Sequence, residues 1–366
     1  MSETPLAREI KDLIRQDGPI DVARYMALAL GHPRYGYYIT RDPLGAAGDF
    51  ITAPEISQMF GEILGLWAAH RWMILGSPTH IGLVELGPGR GTLMADALRA
   101  IGKVLPAFAA AIELHLVETS PTLRKAQATI LAEALGPSLA GRSPIWHDDI
   151  ATLPDGPSIV IANEFFDALP VHQLVHRSGH WHERLVGLVD DELAFGLAAE
   201  PVPASQAPSL SNTALDGTIV EYPEAGSQVM AGLCDRLARF GGAALIIDYG
   251  HLEFGVGDTL QAMAAHAFVD PLARPGEADL TTHVCFETLA RIAADKRLAI
   301  DILATQAQFL NELGIRPMAA NLGRHATPEQ AEAIAKALER LTDDAPRAMG
   351  SLFKVLAVSA PGTQRS

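Results

Sequence analysis

The sequence predicts an α/β fold built on an open, mostly parallel sheet, and three observations carry that prediction. From Ile81 onward short apolar runs alternate with helical patterns. One run, Ile81 to Leu86, feeds a glycine-rich turn that opens a helix. The run Ala243 to Asp248 repeats the apolar pattern far down the chain. Strands alternating with helices imply a parallel sheet covered on both faces.

The first 80 residues read as helical. Thr4-Pro5 starts a helix whose apolar face is Leu6, Ile10, Leu13 and Ile14 and which stops at Gly18; a second runs from Asp21 to Gly31. Thr52-Ala53-Pro54-Glu55 has the form of a capping box before one long helix carrying Ile56, Met59, Phe60, Ile63, Leu64 and Trp67. That position accounts for Glu55 without chemistry. Between these helices HPRYGYYITRDPLGAAGDFI shows no periodicity, and loops of this length in compact domains are functional or disordered.

After Gly76-Ser77-Pro78 strands are expected at Ile81 to Leu86, Ile112 to Val117, Ile145 to His147, Ser158 to Ala162 and Ala243 to Asp248. Helices are expected from about Thr92 to Ile101 and from Ser120-Pro121 to Leu135. His180 to Pro203 has hairpin character around Asp190-Asp191 and reads as an insertion between the fourth and fifth strands. Thr327-Pro328-Glu329-Gln330 caps a late helix, after which Leu352 to Val358 forms an edge hairpin with Arg297 to Leu303. The expected organisation is an N-terminal helical cap with a Tyr/Gly-rich lid loop, residues 1–78, and a core, residues 79–366, with 176–240 as an inserted substrate-recognition segment.

Composition narrows the function classes. The chain has 366 residues, 48% hydrophobic and 19% charged, with a formal net charge of −15. Phosphate-backbone binding needs a basic stripe, so nucleic acid is not the expected partner. The segment Pro144 to Leu193 holds nine acidic side chains against two arginines, a field that draws cations. Cys234 and Cys285 stand alone, without metal-site or disulfide spacing. No apolar run has the ~18 residues of a spanning helix, and the N-terminus lacks signal-peptide form. A cytoplasmic location is the default expectation, and exposed apolar helix faces allow a homodimer.

The sequence VELGPGRGTL joins the first strand to its helix. Gly87, Gly89 and Gly91 let a ligand approach main-chain N–H groups at a helix N-terminus. A dinucleotide fingerprint requires glycine where this chain has Thr92, and Glu85 beside the turn repels a pyrophosphate. That acid suits S-adenosylmethionine, which carries an ammonium and a cationic sulfur. Glu118 ends the second strand, where a carboxylate accepts ribose hydroxyls, and Asp148 or Asp149 after the third can accept from the adenine amino group.

ELGPGRGTL, GYYITRDPLGAAGDFITAPEISQMFGE, NEFFDALPVHQ, IIDYG and GDTLQAMAAHAFVDPLARPGEADLTTHV together resemble the MidA-type S-adenosylmethionine-dependent protein arginine methyltransferases, a family that includes a mitochondrial assembly factor of respiratory complex I. The resemblance implies a class I methyltransferase fold, Rossmann-like with a mostly parallel seven-stranded sheet. It also implies methylation of an arginine on a protein of the complex I-subunit type. A non-catalytic assembly chaperone and a small-molecule methyltransferase are the alternatives.

NEFFDALPV begins where the fourth strand ends, at the ligand crevice of an open α/β sheet. A guanidinium has a pKa above 12; two carboxylates can grip its fork and leave one nitrogen nucleophilic. Glu164 is the first candidate for that grip and Asp167 the second, with Asn163 orienting substrate or the methionine end of the cofactor. N-capping is the bland alternative for both acids. Tyr37 and Tyr38 of the lid can stack on a guanidinium or simply pack, and Asp49 can add a third carboxylate. His172 can take a proton or be structural, while Glu221 and Glu224 are candidate peptide contacts or helix-start acids.

Overall fold

The computed structural model describes residues 3–40, 52–135, 143–203, 205, 207–208 and 214–360. Asp49 and the rest of the lid loop beyond Thr40 lie outside these residues, as do 136–142. The chain divides into two compact units. One comprises 1–43, 167–228 and 253–285; the other comprises 44–166, 229–252 and 286–366.

The division falls elsewhere than expected. The helix of residues 58–74 belongs to the same unit as the large sheet, not to a cap. The smaller unit also takes in 253–285, whose strands Gln261–Ala264, Ala267–Val269 and Asp279–Thr281 are three or four residues long. Segments so short carry no readable period.

In the larger unit the strands lie in the order Ala299–Thr305, Phe353–Ser359, Gly242–His251, Ser158–Asn163, Ile81–Leu86, Ile112–Val117 and Ile145–His147. Pairings from Gly242–His251 through Ile145–His147 are parallel; the two involving Phe353–Ser359 are antiparallel. The order reverses around the first strand, Ile81–Leu86, which lies between the second and the fourth. That reversal is the switch point at which ligands bind beyond the carboxyl ends of strands. Leu83, Ile159, Ile161, Leu245 and Ile247 are fully buried, as expected for a sheet covered on both faces.

Helix Gln58–Ile74 packs on helix Thr92–Val104 at very close range. A Cβ on Gly61 would lie 2.7 Å from Asp96 Cβ, and one on Gly65 would lie 2.6 Å from the Ala97 carbonyl oxygen. The pair of glycines therefore sets the separation of the two backbones. Phe60, Ile63 and Trp67 on the same helix are buried, each contributing on the order of 2 kcal/mol.

The expected single helix after Thr52 is two. Thr52 makes no side-chain cap, and the first helix, Ala53–Ile56, ends at Ser57, whose extended backbone and hydroxyl begin the next by accepting from the Met59 N–H. Thr4 and Asp21 do cap as predicted, accepting from the N–H groups of Ala7 and Arg24.

The smaller unit holds helices Pro5–Asp17 and Val22–Gly31 and a sheet ordered Ile20–Asp21, His180–Val189, His172–Arg177, Ile219–Tyr222, with Glu192–Leu197 paired to His180–Val189. Asp190 and Asp191 make the expected hairpin turn, both with positive φ (50° and 66°). Its core joins Leu6, Ile10, Tyr25 and Met26 to Val171, Val186, Ala262 and Leu280.

Candidate active site

The glycine turn stands at the carboxyl end of Ile81–Leu86. Gly87, Gly89 and Gly91 have φ of 61°, 52° and 89°, and the Gly87 N–H donates to the Val117 carbonyl at 3.0 Å. A Cβ on Gly87 would come within 2.9 Å of Phe165 Cδ2. The first obstacle to a side chain here is therefore Phe165. Glu85 is 3% exposed, its Oε2 has no hydrogen-bond partner, and burial pushes its carboxyl up to about 8. An orphaned buried carboxyl beside a helix N-terminus is the acceptor that a ligand cation requires, so these residues fit the amino acid end of S-adenosylmethionine.

Glu118, at the end of the second strand, is buried. Oε1 accepts from the Ser120 N–H at 2.7 Å and Oε2 from Gln127 Nε2 at 3.2 Å. Burial raises its pKa, and those hydrogen bonds oppose the rise. Sequence reasoning missed Gln127. The fully buried amide donates through Nε2 to the Gly89 carbonyl (2.7 Å) and accepts at Oε1 from Trp146 Nε1 (2.8 Å). The signal was present: Gln127 interrupts the buried row Leu123, Leu131 at a spacing of four on one helix face.

The two aspartates after the third strand differ. Asp149 is spent as a cap, accepting from the Ala151 N–H at 2.8 Å, whereas the exposed Asp148 pairs with Arg124 at 2.6 Å.

At the fourth strand Glu164 has a left-handed backbone, φ 50°, uncommon for a side chain of this size. Its N–H donates to the Ile247 carbonyl at 2.9 Å. Oε1 accepts from the Ala53 N–H and from Asn163 Nδ2, both at 3.2 Å. The capping alternative therefore holds in an unexpected form: the carboxylate serves the first N–H of a helix 111 residues earlier, where Thr52 fails. Asn163 is buried and its Oδ1 has no hydrogen-bond partner. The turn is pinned by fully buried Asp248, whose Oδ2 accepts from the N–H groups of Phe165 (3.1 Å) and Phe166 (2.9 Å). Nothing in the sequence IIDYG sets Asp248 apart as the residue that holds this turn.

Other candidates fall in the smaller unit. Tyr37 and Asp167 are buried, and the Tyr38 hydroxyl donates to Asp279 Oδ1 at 2.9 Å, with burial raising the Tyr38 pKa. The Tyr37 and Tyr38 rings meet edge to face, 5.3 Å between centroids. His172 pairs with Glu183 at 2.9 Å and lies 3.4 Å from Glu224; Glu183 raises its pKa. Glu221, a candidate peptide contact or helix-start acid, is engaged within the chain: it accepts from Gln173 Nε2 at 2.8 Å and from the N–H and hydroxyl of Thr259. Cys234 and Cys285 are buried and form no disulfide, and among the described residues no side-chain group has the makings of a metal site.

A parallel sheet with an acid inside the first strand, a glycine turn at a helix N-terminus and a second acid closing the next strand defines a class I methyltransferase. Comparison with known proteins agrees. Residues 63–303 match the family described as "Putative S-adenosyl-L-methionine-dependent methyltransferase". The chain is 39% identical over 380 residues to a Drosophila melanogaster protein named as a mitochondrial protein arginine methyltransferase NDUFAF7 homolog, covering 96% of this chain and 84% of that one. It is 38% identical over 376 residues to the Homo sapiens protein arginine methyltransferase NDUFAF7, covering 97% and 83%. A crystal structure from Burkholderia thailandensis bound to S-adenosyl-homocysteine superposes with a TM-score of 0.83 at 28% identity, over 97% of this chain and 91% of that one. The chain belongs to the S-adenosyl-L-methionine-dependent methyltransferase family.

Proposed function

We propose that this enzyme methylates an arginine side chain of a protein. The observation that carries the proposal is Glu164: a carboxylate held in a left-handed backbone at the end of the fourth strand, next to the glycine turn. The names of the fly and human relatives support the same substrate class.

S-adenosylmethionine supplies a methyl group made electrophilic by its sulfonium. Residues of the chain do the rest. Glu85 and the N–H groups around Gly87 to Gly91 would hold the amino acid end, Glu118 would accept from the ribose hydroxyls, and Asp148 would accept from the adenine amino group. Glu164 accepts from the guanidinium through its carboxylate and concentrates positive charge there, leaving the opposite nitrogen with more of its lone pair. Asn163 fixes the Glu164 rotamer through its Nδ2. Positioning of this kind supplies much of the rate in a displacement at an already activated carbon. A subunit of a complex I-type assembly in the cytoplasm is the client this proposal favours, on the family resemblance.

Glu164→Gln keeps the acceptor for Ala53 and removes the charge. Affinity for S-adenosylhomocysteine should stay within about threefold, while transfer of labelled methyl to protein arginine falls on the order of a hundredfold. Undiminished labelling by the variant, or label recovered on a residue other than arginine, would refute the proposal.

A further inference from the structure

An ammonium group carries three N–H donors and no acceptor, so the site that binds it has to present up to three acceptors. Around the glycine turn two of them are visible as buried atoms with no partner. Glu85 Oε2 is on a residue 3% exposed, and Asn163 Oδ1 on one 8% exposed. The strand register ties them together: Glu85 pairs with Ile161 and Leu86 with Ala162, which puts Asn163 level with Gly87 at the strand ends.

A third acceptor comes from a different part of the chain. Glu55 Oε1 accepts from the Thr92 hydroxyl at 3.1 Å, and Thr92 is the first residue of the 13-residue helix that follows the turn. In a capping box the acid at this position would fold back onto its own helix start. Here the helix Ala53–Ile56 has only four residues, Thr52 makes no side-chain cap, and the Ala53 N–H is taken by Glu164. Glu55 instead reaches across 37 positions of sequence to the mouth of the turn. Arg99, on the helix that follows the turn, is committed elsewhere: it pairs with Asp96 at 2.7 Å. The carboxylate of Glu55 thus has a neutral hydroxyl as its hydrogen-bond donor, at a place where a cation is due.

We propose that Glu55 is a binding residue for the ammonium of the cofactor's amino acid end, acting with Glu85 and Asn163 as the third acceptor. The inference rests on S-adenosylmethionine occupying the glycine turn and is independent of which residue receives the methyl group. It also assigns a role to the short helix Ala53–Ile56: a mount that carries one carboxylate to the turn, secured by Glu164.

The test compares two ligands that share a thioether nucleoside and differ in the amino acid end. S-adenosylhomocysteine has the ammonium; 5′-methylthioadenosine lacks it. Calorimetric titration of the full chain should show Glu55→Gln weakening S-adenosylhomocysteine about tenfold, the usual size of one charge-assisted hydrogen bond. Binding of 5′-methylthioadenosine should remain within twofold. Glu55→Asp, which keeps the charge on a shorter arm, should give a smaller loss confined to the same ligand, and it decides the matter if the Gln variant does not fold. Unchanged affinity for S-adenosylhomocysteine in the variants would overturn the proposal. Equal losses for both ligands would also overturn it, by reducing Glu55 to a strut for Thr92. Failure of both ligands to bind the unaltered chain would remove the cofactor placement and this inference together.

Discussion

Replacing Glu85 with glutamine should make the unliganded protein more stable and the cofactor weaker. Burial moves the Glu85 carboxyl from 4.5 to about 8, so ionising it in place costs roughly 5 kcal/mol at 1.36 kcal/mol per unit. At pH 7 the folded chain keeps the proton while the unfolded chain loses it, and the deficit is the interval from 4.5 to 7, roughly 3 kcal/mol. The sign follows from a folded value above the unfolded one. Its contribution to stability is full below pH 4.5 and is lost as pH rises through 8. Glutamine does not titrate, so the stability difference between variant and parent should grow from near its baseline at about pH 5 to a plateau above about pH 8. In melting temperature this is several degrees at neutral pH. Circular dichroism melts of both proteins without cofactor, at pH steps from about 5 to 9, read the slope directly. Affinity for S-adenosylhomocysteine should fall at least tenfold in the same variant. A melting difference that stays constant across the pH range would refute the reasoning, because it would mean that Glu85 titrates alike in both states.

Gly87→Ala meets both a left-handed backbone, φ 61°, and the Phe165 ring at 2.9 Å; it should lose about 1–2 kcal/mol and at least tenfold in cofactor affinity, and Phe165→Leu in that background should recover part of the stability. Gly65→Val drives a side chain against the Ala97 backbone, 2.6 Å away, and should cost about 1–3 kcal/mol or more. Gly102→Ala, with nothing within 4 Å of the new Cβ, should gain about 0.5–1 kcal/mol; denaturant titration separates the pair, and equal effects would refute the close-packing argument. Asp248→Asn leaves the N–H groups of Phe165 and Phe166 with a weaker acceptor. It should cost about 1–3 kcal/mol and depress the methyl transfer rate more than cofactor affinity, which single-turnover labelling and calorimetry can separate.

The sheet was readable because its strands are short apolar runs set between helical patterns. Ile81–Leu86, Ile112–Val117 and Ile145–His147 begin and end where the pattern does. The Asp190-Asp191 turn was readable because two short acidic side chains tolerate positive φ between alternating flanks. Thr52 misled because a capping box is defined by local spacing, and the competing partner of Ala53 is Glu164, brought in only by the fold. Asp248 escaped for a related reason: its carboxylate serves backbone groups more than 80 residues away. Among the candidate residues around the glycine turn the acids and glycines stood out by type and place. Gln127 did not, since a lone amide in a helix gains meaning only once its row of neighbours is known to be buried.

Each compact unit is assembled from three separate stretches of chain. During synthesis the amphipathic helix Pro5–Asp17 emerges long before residues 262–280, yet the core it joins includes Ala262 and Leu280. At about 5–20 residues per second, Leu6, Ile10 and Ile14 wait on the order of tens of seconds for the strands that cover them. Through that interval an apolar stripe is presented to whatever else the cell offers. Hydrogen-exchange labelling of ribosome-bound chains stalled before and after residue 285 should find this helix unprotected in the first and protected in the second. The larger unit, by contrast, can bring Ile81–Leu86, Ile112–Val117 and Ser158–Asn163 together in one uninterrupted passage of chain, so the glycine turn can be laid down well before the helix Pro5–Asp17 is sheltered.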